Sequence, residues 1–227
     1  KSLKDLLSVQ KAAGLNIDWK TPDELLKVAK GLNTEGLRGG TLSPEDGYAS
    51  PLKANYAFYA EAKRHGADFH FRESITGVSV NSHRVKGIRT NKAEYSCRWL
   101  INAAGGWAAE VSDLAGVTVP VRPDLHEALV TEPVQQFMLP MIVDIRKRPG
   151  SSNFYFYQTE NGQIIACQTP SPQIWGTSEI ESSEFLPQIS RRLLEVMPKM
   201  RNLRVRRTWR GSYPMTPDGS PILGEVA

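Results

Sequence analysis

The sequence predicts a mixed α/β (α+β) fold, with an interior strand that turns into a helix beside a β-meander, then a mainly antiparallel sheet carrying one helix. Three observations predict it. Apolar residues up to Arg64 recur at helical spacing, as in Leu52, Tyr56, Tyr59 and Ala60. From Ala67 onward the period falls to two and turn residues punctuate short apolar runs. Between the two halves, Trp99-Leu100-Ile101 is apolar on both faces, the pattern of a strand covered on both sides, and it runs into the small residues Asn102-Ala103-Ala104-Gly105-Gly106.

The elements follow in order. Ser2–Ala13 reads as a helix stopped by Gly14. Thr21-Pro22-Asp23-Glu24 is a start signal in which Thr21 caps, Pro22 fits the first helical position and Glu24 completes a capping box, and that helix fades at Gly31. A stretch of glycines and turn formers, Glu35–Gly47, precedes a helix opened by Ser50-Pro51 and closed by Gly66. Ala67–Phe71, Ile75–Val80, Val85–Arg89 and Tyr95–Ile101 read as strands, with a turn at Asn81-Ser82-His83. A helix with Val111 and Leu114 inward ends at Gly116. Val117–Val121, Ala128–Thr131 and Met141–Ile145 are further strand candidates. Phe154–Gln158 and Gln163–Gln168 form a hairpin, where Asn161-Gly162 favours a tight turn. Ser182–Met197 is a helix with Phe185, Ile189, Leu193 and Val196 on one side, and Leu203–Trp209 is a strand. Trp19, Trp99 and Trp175 are expected in the core or at its rim.

Composition narrows the function. With 227 residues, 40% hydrophobic and 23% charged, the chain is an ordinary globular sequence rather than a disordered or fibrous one. No stretch has the roughly 18 apolar residues of a membrane span, and charges in KSLKDLLSVQ argue against a secretion signal. The net charge of +4 suits a small anionic ligand as well as a nucleic acid. Alternation sets three arginines of the Arg201–Arg210 cluster on one strand face, where Glu127 or Glu132 can pair with them, which speaks against nucleic acid. Cys97 and Cys167 have no metal-ligand spacing and read as reduced thiols in a cytoplasmic protein.

The segment Leu100–Trp107 carries the chemistry. Small side chains let a backbone approach a bulky ligand, and free N–H groups at a helix start favour a phosphate. The same residues also serve a plain strand-to-helix turn. Further features join it in a fixed order: Gly39-Gly40-Thr41, Pro44-x-Asp46-Gly47, Ile75-Thr76-Gly77-Val78, Gly87-Ile88, Leu114-Ala115-Gly116-Val117, His126–Pro133, Arg207-x-Trp209-x-Gly211 and Thr216-Pro217-Asp218-Gly219-Ser220-Pro221-Ile222-Leu223-Gly224.

This ordered series resembles the FAD-dependent amine and amino-acid oxidoreductases of the D-amino-acid oxidase superfamily. It is most similar to the branch with glycine oxidase, the sarcosine oxidase β subunit, dimethylglycine dehydrogenase and related proline dehydrogenases. The resemblance implies a partial FAD-binding Rossmann-like layer over 1–122, an antiparallel substrate-binding sheet over 123–210 and a return to the FAD-binding domain over 211–227. No GxGxxG turn occurs in the chain. An internal fragment is therefore expected, lacking on the order of 100 residues in front and several tens behind. Such a piece is expected neither to hold FAD tightly nor to turn over substrate.

For the intact protein the resemblance implies hydride transfer from an amine's carbon to flavin, giving an imine that water hydrolyses. A small amine or amino acid is the substrate, and a hetero-oligomeric partner or electron acceptor is a further expectation. No catalytic acid or base is assigned. The resemblance assigns Ile75, Ala103, Ala104, Gly105, Trp107 and Gly211 to the cofactor, and Tyr155 to a substrate carboxylate. Tyr213 stands where glycine oxidase has an arginine, which argues against glycine oxidase itself and leaves Tyr213, Arg210 and His126 as substrate-binding candidates, with Arg206 a further substitute for the arginine. The alternative is a non-catalytic amine- or amino-acid-binding module derived from the same fold.

Overall fold

The structure is a computed structural model describing residues 3–225. Its elements run α1 (Leu3–Ala12), β1 (Asp18–Lys20), α2 (Pro22–Val28), β2 (Gly40–Leu42), α3 (Pro51–Arg64), β3 (Ile75–Asn81), β4 (Arg84–Thr90) and β5 (Glu94–Ser96). They continue with α4 (Ala108–Asp113), β6 (Arg122–Thr131), β7 (Ile142–Asp144), β8 (Gly150–Gln158), β9 (Ile164–Ser171), α5 (Phe185–Val196) and β10 (Val205–Met215). Ser2, expected to begin the first helix, lies outside the described residues. Two compact units share the chain. One holds residues up to Tyr48, His126–Gln173 and Glu179–Arg210; the other holds Ala49–Leu125, Ile174–Ser178 and the chain from Gly211.

The first unit is organised by a five-stranded sheet of order β10-β6-β9-β8-β7. One face of the sheet packs on α5, whose Phe185, Ile189, Leu193 and Val196 are all buried, as their spacing predicts. They meet Leu129, Phe154, Phe156, Ile164 and Ala166 from the strands. Each large apolar side chain buried there contributes about 1.5–3 kcal/mol. The helix α2 has the expected capping box, with the Glu24 N–H donating to Thr21 and the Thr21 N–H donating to the Glu24 carboxylate. Just after α2, Ala29 bridges to Met138 and enters the same core.

The β8–β9 hairpin forms, but not through the tight turn expected of Asn161-Gly162. Pairing ends at Gln158 and Ile164, and the loop closes through Gly162 N–H to Thr159 O (2.9 Å) and Thr159 N–H to Gln163 O (2.8 Å). Gly162 adopts φ +84°, and a Cβ there would lie 2.2 Å from the Val134 carbonyl oxygen. Glycine is required by that close approach and not by a two-residue turn.

The second unit is organised by the meander β3-β4-β5. Its first hairpin turns on Ser82 and His83, both at positive φ, matching the expected turn. Two predicted strands, Ala67–Phe71 and Val117–Val121, do not form, and Tyr95–Ile101 forms only at its start, where β5 ends at Ser96 and leaves Trp99–Ile101 outside the strands. Trp99 is 73% exposed and Ile101 88% exposed, so Trp99 packs neither core nor rim. The reason is physical: a strand exists through its neighbours, and no described strand pairs with these segments. Leu114, the residue just after α4, is exposed rather than inward.

Candidate functional site

The two faces of the five-stranded sheet differ in chemistry. Cross-strand partners share a face, so the register sorts the side chains. Phe154 pairs with Gln168, which pairs with Glu127, and Gln168 donates to Gln188 of α5 (2.8 Å), so this row lies on the helix side. The alternate row is Val143, Tyr155, Cys167 and Ala128, and the next on the same face is Tyr157, Ile165 and Val130. These two rows carry no charged side chain. By the period of two, His126 also lies on this face, since its neighbour Glu127 lies on the other. Tyr155 and His126, predicted separately, therefore share one half-buried surface. Tyr157 belongs to it too and is closed over by Tyr48, with ring centroids 4.6 Å apart.

Arg210 is held differently. Its guanidinium donates to the Ile180 carbonyl (2.8 Å) and lies 3.7 Å from the Glu127 carboxylate. Glu127 also accepts from Ser182 N–H (2.5 Å) and Oγ (2.8 Å). The pairing of Glu127 with an arginine of this cluster is as expected, and it ties Arg210 to the helix-side row rather than to the face of Tyr155.

In the second unit, Asn102 builds the turn. Its side-chain amide donates to Ala108 O and to Ser112 Oγ (both 2.8 Å), and its Oδ1 accepts from Ala104 N–H (3.1 Å). This Asx turn fixes Ala103–Trp107 at the head of a short 3-10 helix, Gly105–Trp107, leading into α4. Gly105 adopts φ +58° with open space where a side chain would be, and Ala103 and Trp107 are exposed. A Cβ on Gly106 would lie 2.8 Å from Ser212 Oγ and 3.2 Å from Pro123 Cβ, so the turn rests on Ser212. The structure thus brings the turn beside the neighbours of Ser212, Gly211 and Tyr213, both exposed, with no atom within 4 Å of a Cβ placed on Gly211. Ile75 is half-buried at the start of β3, paired with Thr90.

The sequence reading placed Asn102 in the turn without giving it a role, and passed over Tyr48. An asparagine two residues before Ala104 was the available sign for the first; no local signal links Tyr48 to Tyr157, which pair across 109 positions of chain (157 minus 48).

Comparison with known proteins places these features in a class. The DAO family, FAD dependent oxidoreductase, matches residues 1–227, and the chain belongs to that family of FAD-dependent oxidoreductases. The hydrogen cyanide synthase subunit HcnC of Pseudomonas aeruginosa is 31% identical over 187 residues, covering 80% of this chain and 42% of that protein. Sarcosine oxidase subunit beta of Rhodobacter capsulatus is 25% identical over 212 residues, covering 92% of this chain and 50% of the relative. In structure, L-proline dehydrogenase from P. horikoshii superposes with a TM-score of 0.89 at 28% identity, covering 97% of this chain and 59% of that one. The chain spans about half the length of the relatives it matches. No helix among the described residues is long and apolar enough to cross a membrane.

The family's cofactor can be tested against the residues present. The turn has small side chains from Ala103 to Gly106 with Trp107 at its end, is open around Gly105, and is seated on Ser212 by the missing Cβ of Gly106. These residues fit a bulky dinucleotide.

Proposed function

We propose that the protein carrying this chain oxidises the C–N bond of a primary or secondary amine or amino acid of the sarcosine, dimethylglycine, proline or glycine kind, with FAD as its cofactor. The observation that supports this most is the exposed small-residue turn Ala103–Trp107 lying against Ser212, beside Gly211. Ile75, Ala103, Ala104, Gly105, Trp107 and Gly211 would hold the cofactor, which when bound supplies the acceptor for the two electrons leaving the substrate.

The sheet unit would orient the substrate. The Tyr155 hydroxyl and the His126 ring can hydrogen-bond a carboxylate on a face whose central rows carry no charged side chain. Tyr213 is a further hydroxyl donor. Arg210, with its carboxylate and carbonyl partners, would act by steadying β6 beside His126 rather than by gripping substrate. Two relatives are named as enzyme subunits, which supports a partner chain or electron acceptor for this protein as well. A cytoplasmic setting belongs to the same reading, supported by the spacing of Cys97 and Cys167, which fits neither a CxxC pair nor a metal site.

The test uses the complete protein loaded with FAD. Under anaerobic conditions, at least one of sarcosine, dimethylglycine, proline and glycine is expected to bleach the visible flavin absorption. A flavin that stays bound and oxidised with all four and with other simple amines would overturn the proposal.

A further inference from the structure

We propose that Tyr48 and Tyr157 form the wall of an apolar recess on the face of the five-stranded sheet that carries Tyr155, and that this recess selects amines bearing a hydrocarbon substituent, such as a saturated ring, over unsubstituted ones. The proposal deepens the reading of this face as the substrate surface and rests on it. Tyr157 stands one step along β8 from Tyr155 on the same face, with Ile165 directly across from it on β9 and Val130 beyond Ile165 on β6. Tyr48 leans on Tyr157 from the loop before α3, the rings tilted by 36°. A substrate carboxylate held near Tyr155 and His126 would therefore direct its carbon substituent either toward hydrocarbon and ring edges or away from the sheet.

The rows around that space, Tyr155–Cys167–Ala128 and Tyr157–Ile165–Val130, carry no charged side chain. Val130, Ile165 and Tyr157 are half-buried, and burial, with Tyr48 beside it, pushes the Tyr157 phenol up from its ordinary range, so it stays neutral at physiological pH. A second carboxylate or ammonium on the substrate would lose water there without gaining a partner. A hydrocarbon ring would gain contact with two aromatic side chains. Tyr48 is 43% exposed, so its removal opens the recess without opening the core.

The test needs no turnover. In the complete FAD-loaded protein, the dissociation constants of acetate and cyclopentanecarboxylate are measured by perturbation of the flavin spectrum and by thermal shift. The wild type is expected to bind the ring acid about tenfold or more tightly than acetate. Tyr48→Ala is expected to weaken the ring acid about tenfold and acetate by less than about twofold, while Tyr48→Phe keeps the wild-type ratio. A ratio near one in the wild type, a ratio unchanged in Tyr48→Ala, or binding of neither acid would overturn the recess. Failure of every amine to bleach flavin while the ratio behaves as expected would instead overturn the oxidoreductase reading and leave the recess standing.

Discussion

Replacing Gln158 with Leu is expected to lower the stability of the sheet unit by about 3–5 kcal/mol, read as a drop in the urea unfolding midpoint. Gln158 is fully enclosed at the end of β8. Its Oε1 accepts from the N–H groups of Phe137 (2.8 Å) and Met138 (3.3 Å). Its Nε2 donates to the carbonyls of Val134 (3.3 Å), Gln135 (3.2 Å) and Gly162 (3.1 Å). One amide thus clamps a loop that otherwise carries unpaired backbone groups, and Leu offers it neither donor nor acceptor. Two N–H groups lose their partner, each at about 1–3 kcal/mol. Gln158→Glu separates the two halves of the clamp. Its carboxylate would still accept from Phe137 and Met138 but would face three carbonyls, which raises its folded pKa. Stability in that variant should rise as pH falls toward the ordinary carboxylate range, because the protonated form donates again. A midpoint within error of wild type for Gln158→Leu would contradict this account of the loop.

Arg192→Met is the second large effect, expected at about 3 kcal/mol. The Arg192 guanidinium is buried where α5 crosses β7 and β8. It donates to Ser151 Oγ (2.5 Å), Arg146 O (2.7 Å) and the Asp144 carboxylate (3.3 Å), and it lies over the Phe154 ring at 4.5 Å. Burial pulls its pKa down, against the pull of Asp144, yet an arginine remains charged. Met keeps the stem and its packing but leaves Ser151 and the Arg146 carbonyl without their donor. Asp144 supplies a pH signature. Burial raises its pKa, but hydrogen bonds from Arg146 and the charges of Arg146 and Arg192 outweigh that and hold the carboxyl below its ordinary range. A carboxyl with a lowered folded pKa stabilises fully above its unfolded value of about 3.9, and that stability is lost as pH falls through the folded value. The stability gap between wild type and Asp144→Asn should therefore be widest near neutral pH and narrow below about pH 4. A gap that does not change with pH would show that Asp144 acts by shape alone.

Sequence reading succeeds here where the cause is local and fails where it is distant. The Thr21–Glu24 capping box, the apolar stripe of α5 and the Ser82-His83 turn are each decided within a few residues, and each forms. The shared face of Tyr155 and Tyr157 follows from strand alternation alone, and the register agrees. Trp99-Leu100-Ile101 reads as an interior strand because interior strands are apolar on both faces, but that pattern says nothing of which segments would flank it. Gln158 continues the inward row of Phe154 and Phe156, so a polar side chain at that place was itself a sign of a buried clamp, although its loop partners were invisible. The Asn161-Gly162 pair misleads for the opposite reason. A familiar turn signal is there because the Val134 carbonyl passes close to Gly162.

The turn Ala103–Trp107 is proposed as a cofactor cradle, and Gly105→Asn tests this most directly. Asparagine tolerates the positive φ of Gly105, and nothing in the protein stands in its way, so the backbone should persist while a side chain enters the space where the dinucleotide would lie. Titrating the complete apoprotein with FAD by quenching of flavin fluorescence should give a dissociation constant at least about tenfold weaker for Gly105→Asn, a loss of roughly 1.4 kcal/mol or more, with an unchanged thermal unfolding midpoint in the apo state. Equal affinity for FAD in the two proteins would contradict the claim.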